Sequence, residues 1–199
     1  MVLSRILGWS ILTFCTVFSA KGSVILTLNQ VGPDVVLNGS GTANLAALAI
    51  SQSGGCQSLL NSVWIQVGAL GGCVLYGNMF GPMSLPVTGG IGASSSGGDI
   101  IGVQDYFGSF LLSVPGGYVS GSALAGTATF SGTTLSAVGA TPGTYVWTWG
   151  SGATADSLTL QIGVPEPSTI LTLGGALLTL GGALLGIRVY RRSATRARD

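Results

Sequence analysis

Residues 145–162 read Tyr145-Val146-Trp147-Thr148-Trp149-Gly150-Ser151-Gly152-Ala153-Thr154-Ala155-Asp156-Ser157-Leu158-Thr159-Leu160-Gln161-Ile162, and this stretch decides the fold. The rings at 145, 147 and 149 alternate with Val146 and Thr148, and Leu158, Leu160 and Ile162 alternate with Thr159 and Gln161. A period of two places each set on one face of a strand, whereas a helix needs recurrence at three and four. Gly150-Ser151-Gly152-Ala153 breaks the chain between the arms, so the stretch predicts a hairpin.

Working outward, Val24-Ile25-Leu26-Thr27-Leu28 is β-branched and apolar, Gly32-Pro33-Asp34 supplies turn chemistry, and Val35-Val36-Leu37 begins a second strand that meets Asn38-Gly39. Further short strands are expected at Ser62 to Gly68, Cys73 to Tyr76, Ile100 to Val103, Ser109 to Val114 and Ala123 to Phe130, separated by Gly, Pro and Ser. Only Asn44 to Ile50, Ser58 to Leu60 and Thr134 to Val138 have room for a helical turn. Evenly spaced short strands with turn signals predict an all-β domain, an antiparallel β-sandwich or jelly-roll-like body over residues 23–163. The clusters Gly89-Gly90-Ile91-Gly92 and Gly97-Gly98 lack a Gly-Lys-Ser/Thr ending and a following helix pattern, and read as flexible surface loop rather than phosphate loop.

Charge and composition narrow the chemistry. Between Lys21 and Arg188 there is no Lys or Arg, and the acids there are Asp34, Asp99, Asp105, Asp156 and Glu166. Phosphate neutralisation has no cations to work with, which argues against nucleic-acid binding. The chain has no histidine, so neither a Ser-His-Asp nor a Cys-His site can be assembled, and no Gly-x-Ser-x-Gly elbow is present. Without lysine in the folded region, Ser-Lys and Schiff-base chemistry fall away too. The aspartates offer a two-carboxylate arithmetic, but their spacing singles out no pair, and Asp beside Gly is a turn former; no enzyme activity, cofactor or metal is expected. Calcium held by Asp99, Asp105 and glycine-loop carbonyls has no EF-hand or repeat spacing behind it.

The two ends of the chain carry addresses. Met1 to Arg5 is a positive region and Ile6 to Phe18 an apolar one too short for a comfortable span, a pattern read as a secretory signal peptide over residues 1–22. Ala20 and Gly22 fill the small-residue positions for cleavage after Gly22, with cleavage after Ser19 the alternative. Cys15 lies inside the apolar stretch behind Phe14, which does not suit a lipid-attachment cysteine. At the other end stand Val164-Pro165-Glu166-Pro167-Ser168, an uncharged run to Ile187, and Arg188, Arg191, Arg192, Arg196 and Arg198. The prolines impose an extended, accessible backbone. A helix over residues 168–187 would extend about 30 Å, the hydrocarbon thickness of a bilayer. The arginines would hold the tail in the cytoplasm with everything before Pro165 outside.

Pro165-Glu166-Pro167 with Ser168-Thr169, the apolar run and the arginines closely resemble the PEP-CTERM sorting signal of Gram-negative bacteria, a tail also labelled ice-binding protein C-terminal, from which no ice binding is inferred. The resemblance covers only the last segment, from Val164 onward. It implies recognition by a membrane-embedded cysteine protease, the exosortase, with Pro165, Glu166 and Pro167 as the sorting motif and Arg188, Arg191 and Arg192 as the retained basic tail. It further implies transient residence in the inner membrane with the β-domain periplasmic, cleavage near the motif, and delivery to the cell surface or exterior, often in bacteria that make exopolysaccharide. The segment from Ala128 to Ile162 is similar to what commonly precedes such tails, and implies an extracellular β-module rather than a named activity. The competing class is a permanently anchored single-pass surface protein with a carbohydrate-binding β-domain.

Once Cys15 leaves with the leader, Cys56 and Cys73 form an even pair that an oxidising compartment would join, the alternative being two buried thiols. The lack of histidine and the small number of thiolates argue against a closed zinc site. Trp64, Tyr145, Trp147 and Trp149 offer a flat face for polysaccharide, centred on Trp147 and Trp149; alternating rings on one strand face also fill cores. Within the apolar run, Leu171-Thr172-Leu173-Gly174-Gly175-Ala176-Leu177 recurs as residues 178–184, and Gly182 to Gly186 is a small-xxx-small spacing that admits close helix approach by the exosortase or a second copy.

Overall fold

The computed structural model describes residues 22–163. In chain order the strands are β1 (Ser23–Val31), β2 (Asp34–Thr42), β3 (Ala49–Cys56), β4 (Leu59–Leu60), β5 (Trp64–Val67), β6 (Gly71–Met79), β7 (Ile91–Gly92), β8 (Ser95–Gly98), β9 (Ile101–Tyr106), β10 (Ser109–Pro115), β11 (Ala123–Phe130), β12 (Gly143–Trp149) and β13 (Asp156–Ile162), with a 3-10 turn at Gly152–Thr154. They form a six-stranded sheet, β12-β13-β1-β2-β11-β8, and a seven-stranded sheet, β3-β6-β10-β9-β5-β4-β7. The domain is therefore all-β and antiparallel-rich. Among the described residues no helix is long and apolar enough to cross a membrane, and the expected signal peptide, membrane helix and basic tail lie outside the described residues.

The terminal hairpin forms with Tyr145 opposite Leu160 and Trp147 opposite Leu158. Its second arm then pairs parallel with β1, Val24 beside Leu158 and Leu28 beside Ile162. That parallel seam departs from the purely antiparallel expectation: it joins the two ends of the domain, and local turn chemistry carries no information about so distant a partner. β1 and β2 meet across Gly32-Pro33, with Val31 opposite Asp34 and Gly32 at φ +57°. β2 does not stop at Asn38-Gly39 but runs on to Thr42. A Cβ on Gly39 would lie 2.8 Å from Val67 Cγ1 and 2.9 Å from Leu26 Cδ2, so this glycine marks close approach between the sheets rather than a turn.

Alternation builds the core. Val24, Leu26 and Leu28 of β1 and Leu158, Leu160 and Ile162 of β13 share one buried cluster with Ile65, Val67, Ile101, Val103 and Leu112 of the other sheet. One expected helical turn is strand instead, β4 at Leu59–Leu60, while at Asn44 to Ile50 a turn closed by Leu48 N donating to Leu45 O at 3.0 Å gives way to β3 at Ala49. Main-chain pairing to β6 and β5 satisfies those backbones, and tertiary pairing of this kind overrides weak local preference. At Thr134 to Val138 a single turn is present, Val138 N donating to Thr134 O at 3.1 Å. The glycine clusters also differ from a plain loop, since Gly92 lies in β7 and Gly97-Gly98 in β8, which pairs with β11.

The seven-stranded sheet has to curl. Flat, β3 and β4 would stand about 24 Å apart at ~4.8 Å per strand, whereas three Cα steps from Cys56 to Leu59 reach only about 11 Å. The end of β3 therefore arches over the sheet's outer face. Gln66 Nε2 donates to Gln57 O at 3.0 Å and Ser58 Oγ to Gly68 O at 2.7 Å, tying the crossing down. Beneath it Cys56, Cys73, Leu75, Ile100 and Leu111 form a second buried cluster, and Cys56 and Cys73 are joined by a disulfide with Cα atoms 5.8 Å apart.

Candidate functional site

Beside that curl is a groove of about 390 Å³ lined by Gln52, Val63, Trp64, Gln104, Asp105, Tyr106, Phe107 and Gly108. Strand geometry places each group. Asn61 Oδ1 accepts from Val63 N at 2.8 Å and Trp64 N at 2.6 Å, which shapes the β4–β5 turn and sets the Trp64 backbone. Val63 O accepts from Asp105 N at 2.8 Å, clamping the turn to β9.

β9 and β10 are joined by Phe107-Gly108, with Tyr106 opposite Ser109. Both linking residues have positive φ, +52° and +83°, the type I′ geometry that matches strand twist. Asn or Gly is usual at the first of these positions, and a bulky residue in the left-handed region is uncommon. Phe107 holds it while 93% exposed. Its ring meets Tyr106 edge-on, centroids 4.9 Å apart, and Asp105 Oδ1 accepts from Gly108 N at 2.8 Å across the turn.

The polar floor is buried. Gln104 Nε2 donates to Gln66 Oε1 at 3.1 Å and to Ser113 Oγ at 3.2 Å, which leaves Gln104 Oε1 as the acceptor that this side chain brings to the groove. Rings beside fixed amide and carboxylate groups can hold a ligand with an apolar face and hydroxyl edges.

The expected glycan face at Trp147 and Trp149 is corrected by their burial, 0% and 2% exposed. Trp147 packs on Phe110 with centroids 5.8 Å apart and lies against Gly81, where a Cβ would come within 2.7 Å of Trp147 Cγ. Trp149 Nε1 donates to Asn44 O at 2.7 Å, and Tyr145 is half-buried with its hydroxyl donating to Thr141 O at 3.0 Å. Their period of two points inward because β12 edges its sheet over the core. Trp64 alone of the four aromatics lines the groove; Tyr106 and Phe107 were not anticipated, though two adjacent rings before a glycine between two strands were a legible sign of exposed aromatics.

The aspartates are dispersed. Asp34 Oδ1 accepts from Gly132 N at 2.9 Å and Asp99 Oδ2 from Ala125 N at 2.9 Å. Along β9 the stretch from Ile101 to Asp105 alone spans about 13 Å at ~3.3 Å per residue, so Asp99 and Asp105 do not share one cation. Among the described residues no group of three or more His, Cys, Asp or Glu is gathered. Asp156 is buried at the start of β13, its Oδ2 accepting from Asn44 N and Oδ1 from Ser157 N, both at 2.6 Å. Burial pushes its carboxyl above the usual range, against the two amide bonds, which pull it down. Pro165, Glu166, Pro167, Arg188, Arg191 and Arg192 lie outside the described residues.

No protein-family model matches the chain, and neither a curated protein nor a solved structure matches it. The likeness of the tail to a sorting signal therefore rests on the residues quoted for it.

Proposed function

We propose that the chain is an exported, non-catalytic surface or extracellular-matrix protein, carried through the general secretory route and sorted by an exosortase at Pro165-Glu166-Pro167. In this reading residues 1–22 are removed, the sandwich-like domain over 23–163 stands in the periplasm, residues 168–187 span the inner membrane, and cleavage near the motif releases the domain to the surface or exterior. The observation that carries it is the fixed order of proline motif, uncharged run and arginines after a domain devoid of Lys and Arg. Lipid favours the uncharged run, and the guanidinium groups hold the tail back. The disulfide under the β3 arch supports an oxidising destination. Replacing Glu166 by Gln in a host that contains an exosortase is expected to leave a full-length species in the membrane fraction; processing at the rate of the native chain would reject the motif's role.

The groove favours one addition, that the domain holds a neutral glycan strand, whether released or permanently anchored. Ring faces of Trp64 and Phe107 suit the C–H faces of pyranoses, and the amides of Gln52 and Gln104 suit hydroxyls. With no cation in residues 22–163 and Asp105 in the lining, an anionic polymer has no counter-charge there. Trp64→Ala with Phe107→Ala is expected to abolish retention on an uncharged polysaccharide column; undiminished retention would remove the groove from the account.

A further inference from the structure

Where the parallel seam of β1 and β13 begins lies a second depression of about 420 Å³, whose lining includes Gly22, Ser23, Trp149, Gly150, Asp156 and Ser157. Asp156 is 7% exposed, and residues 22–163 contain no Lys, Arg or His, so among the described residues its carboxylate has no counter-charge. An uncompensated buried carboxylate is costly, and the two amide donors from Asn44 and Ser157 offset that only in part. Gly22, just before β1, lies beside this carboxylate. A Cβ built there would lie 2.5 Å from Asp156 Oδ2, which puts the Gly22 Cα within about 4 Å of that oxygen at ~1.5 Å per bond. The Ser23 nitrogen is two bonds further along.

We propose that Asp156 is the docking site for the chain's own processed amino terminus, an α-ammonium on Ser23 that closes an ion pair with the Asp156 carboxylate once the leader is removed. The proposal rests on the export reading, with cleavage after Gly22. Hydrolysis breaks the Gly22–Ser23 amide: water's oxygen goes to the Gly22 carbonyl carbon, which leaves as a carboxylate, and the Ser23 nitrogen becomes an ammonium with three donors. Departure of Gly22 also clears the space beside Oδ2. Before cleavage that nitrogen is a neutral amide and the pair cannot form. Leader removal thus supplies the one charge the seam lacks, at the point where β1 and β13 begin to pair. No other titratable group lines this depression.

The chemistry offers a clean test, because Lys21 is the only lysine in the sequence. After cleavage following Gly22, the Ser23 amine is the only primary amine of the mature chain. The exported protein, purified with its tail, is treated with an amine-acetylating reagent at neutral pH and followed by intact mass. A single acetyl group is expected, added about tenfold more slowly than in Asp156→Asn, since a carboxylate partner that raises the amine's pKa by one unit lowers its reactive fraction tenfold. The acetylated wild-type protein is expected to melt several degrees below the free one, a comparison that does not depend on the variant. One acetyl group added equally fast in both proteins, with no change in melting, would overturn the docking site and leave the export reading standing. Two acetyl groups would show that Lys21 is retained, on a chain whose mass begins at Ala20 if cleavage follows Ser19 or at Met1 if the leader stays, and would overturn the cleavage reading and this proposal together.

Discussion

Removing the disulfide should destabilise the domain by an amount set by the loop it closes. Cys56 and Cys73 are separated by 17 positions, and the loop-closure entropy for that length corresponds to about 3 kcal/mol at 25 °C. Both cysteines are buried beside Leu75, Ile100 and Leu111, so Cys56→Ala with Cys73→Ala also removes two sulfur atoms from packed surroundings and adds about 1 kcal/mol each at most. For a domain of this size 1 kcal/mol moves Tm by about 2–4 °C. The expected shift is then about 6–20 °C, read by calorimetry of oxidised protein against the double variant. Reductant should produce a similar fall in the native protein and none in the variant. A shift below about 2 °C would refute the reasoning, because it would mean that the arch of β3 over the sheet is held by the Gln57 and Ser58 contacts alone.

Other consequences can be checked separately. Gly126→Ala would place a methyl 2.3 Å from Asp99 O, where backbone rather than a flexible side chain is in the way; a loss of about 3 kcal/mol is expected in denaturant unfolding, near the upper end for overpacking. Trp147→Ala should cost about 3–5 kcal/mol, as for other buried large aromatics, whereas Phe107→Ala, at an exposed turn, should leave stability unchanged or raise it. With the amino terminus acetylated, the raised pKa of Asp156 means that the folded state binds its proton more tightly than the unfolded chain. Its contribution should therefore be fully present below the ordinary carboxylate pKa of about 3.9 and lost as pH rises through the folded value; Asp156→Asn should flatten that part of a pH-stability profile.

Legibility followed from whether a strand announces itself through side chains. β13 alternates Leu158, Leu160 and Ile162 with Ser157, Thr159 and Gln161, and β1 and β12 place their largest side chains at every second position, a period of two that is read without knowing the partner strand. β3 is Ala-Ile-Ser-Gln-Ser-Gly-Gly-Cys, exposed over all but its last residue, and β8 is Ser-Ser-Gly-Gly. Such strands are held by main-chain ladders to β6 and β11, which leave no trace in side-chain chemistry. The parallel seam was equally silent, because its partners are the first and last strands of the domain. For the site, alternation identified the rings of Trp147 and Trp149 but could not tell which face was covered. That was decided by the position of β12 over the core. Tyr106-Phe107-Gly108 carried the better clue, since a turn of two residues has no core to fill, and aromatic rings there face solvent.

The central claim is that the tail is a transit device, cut after it has positioned the domain outside the inner membrane. Intact-mass and terminal peptide analysis of the protein recovered from the surface and medium of an exosortase-containing Gram-negative host tests it most directly. The account predicts a chain that begins at Ser23 and ends close to Pro165–Pro167, without Arg188 to Arg198; a surface species that still carries those arginines would contradict it.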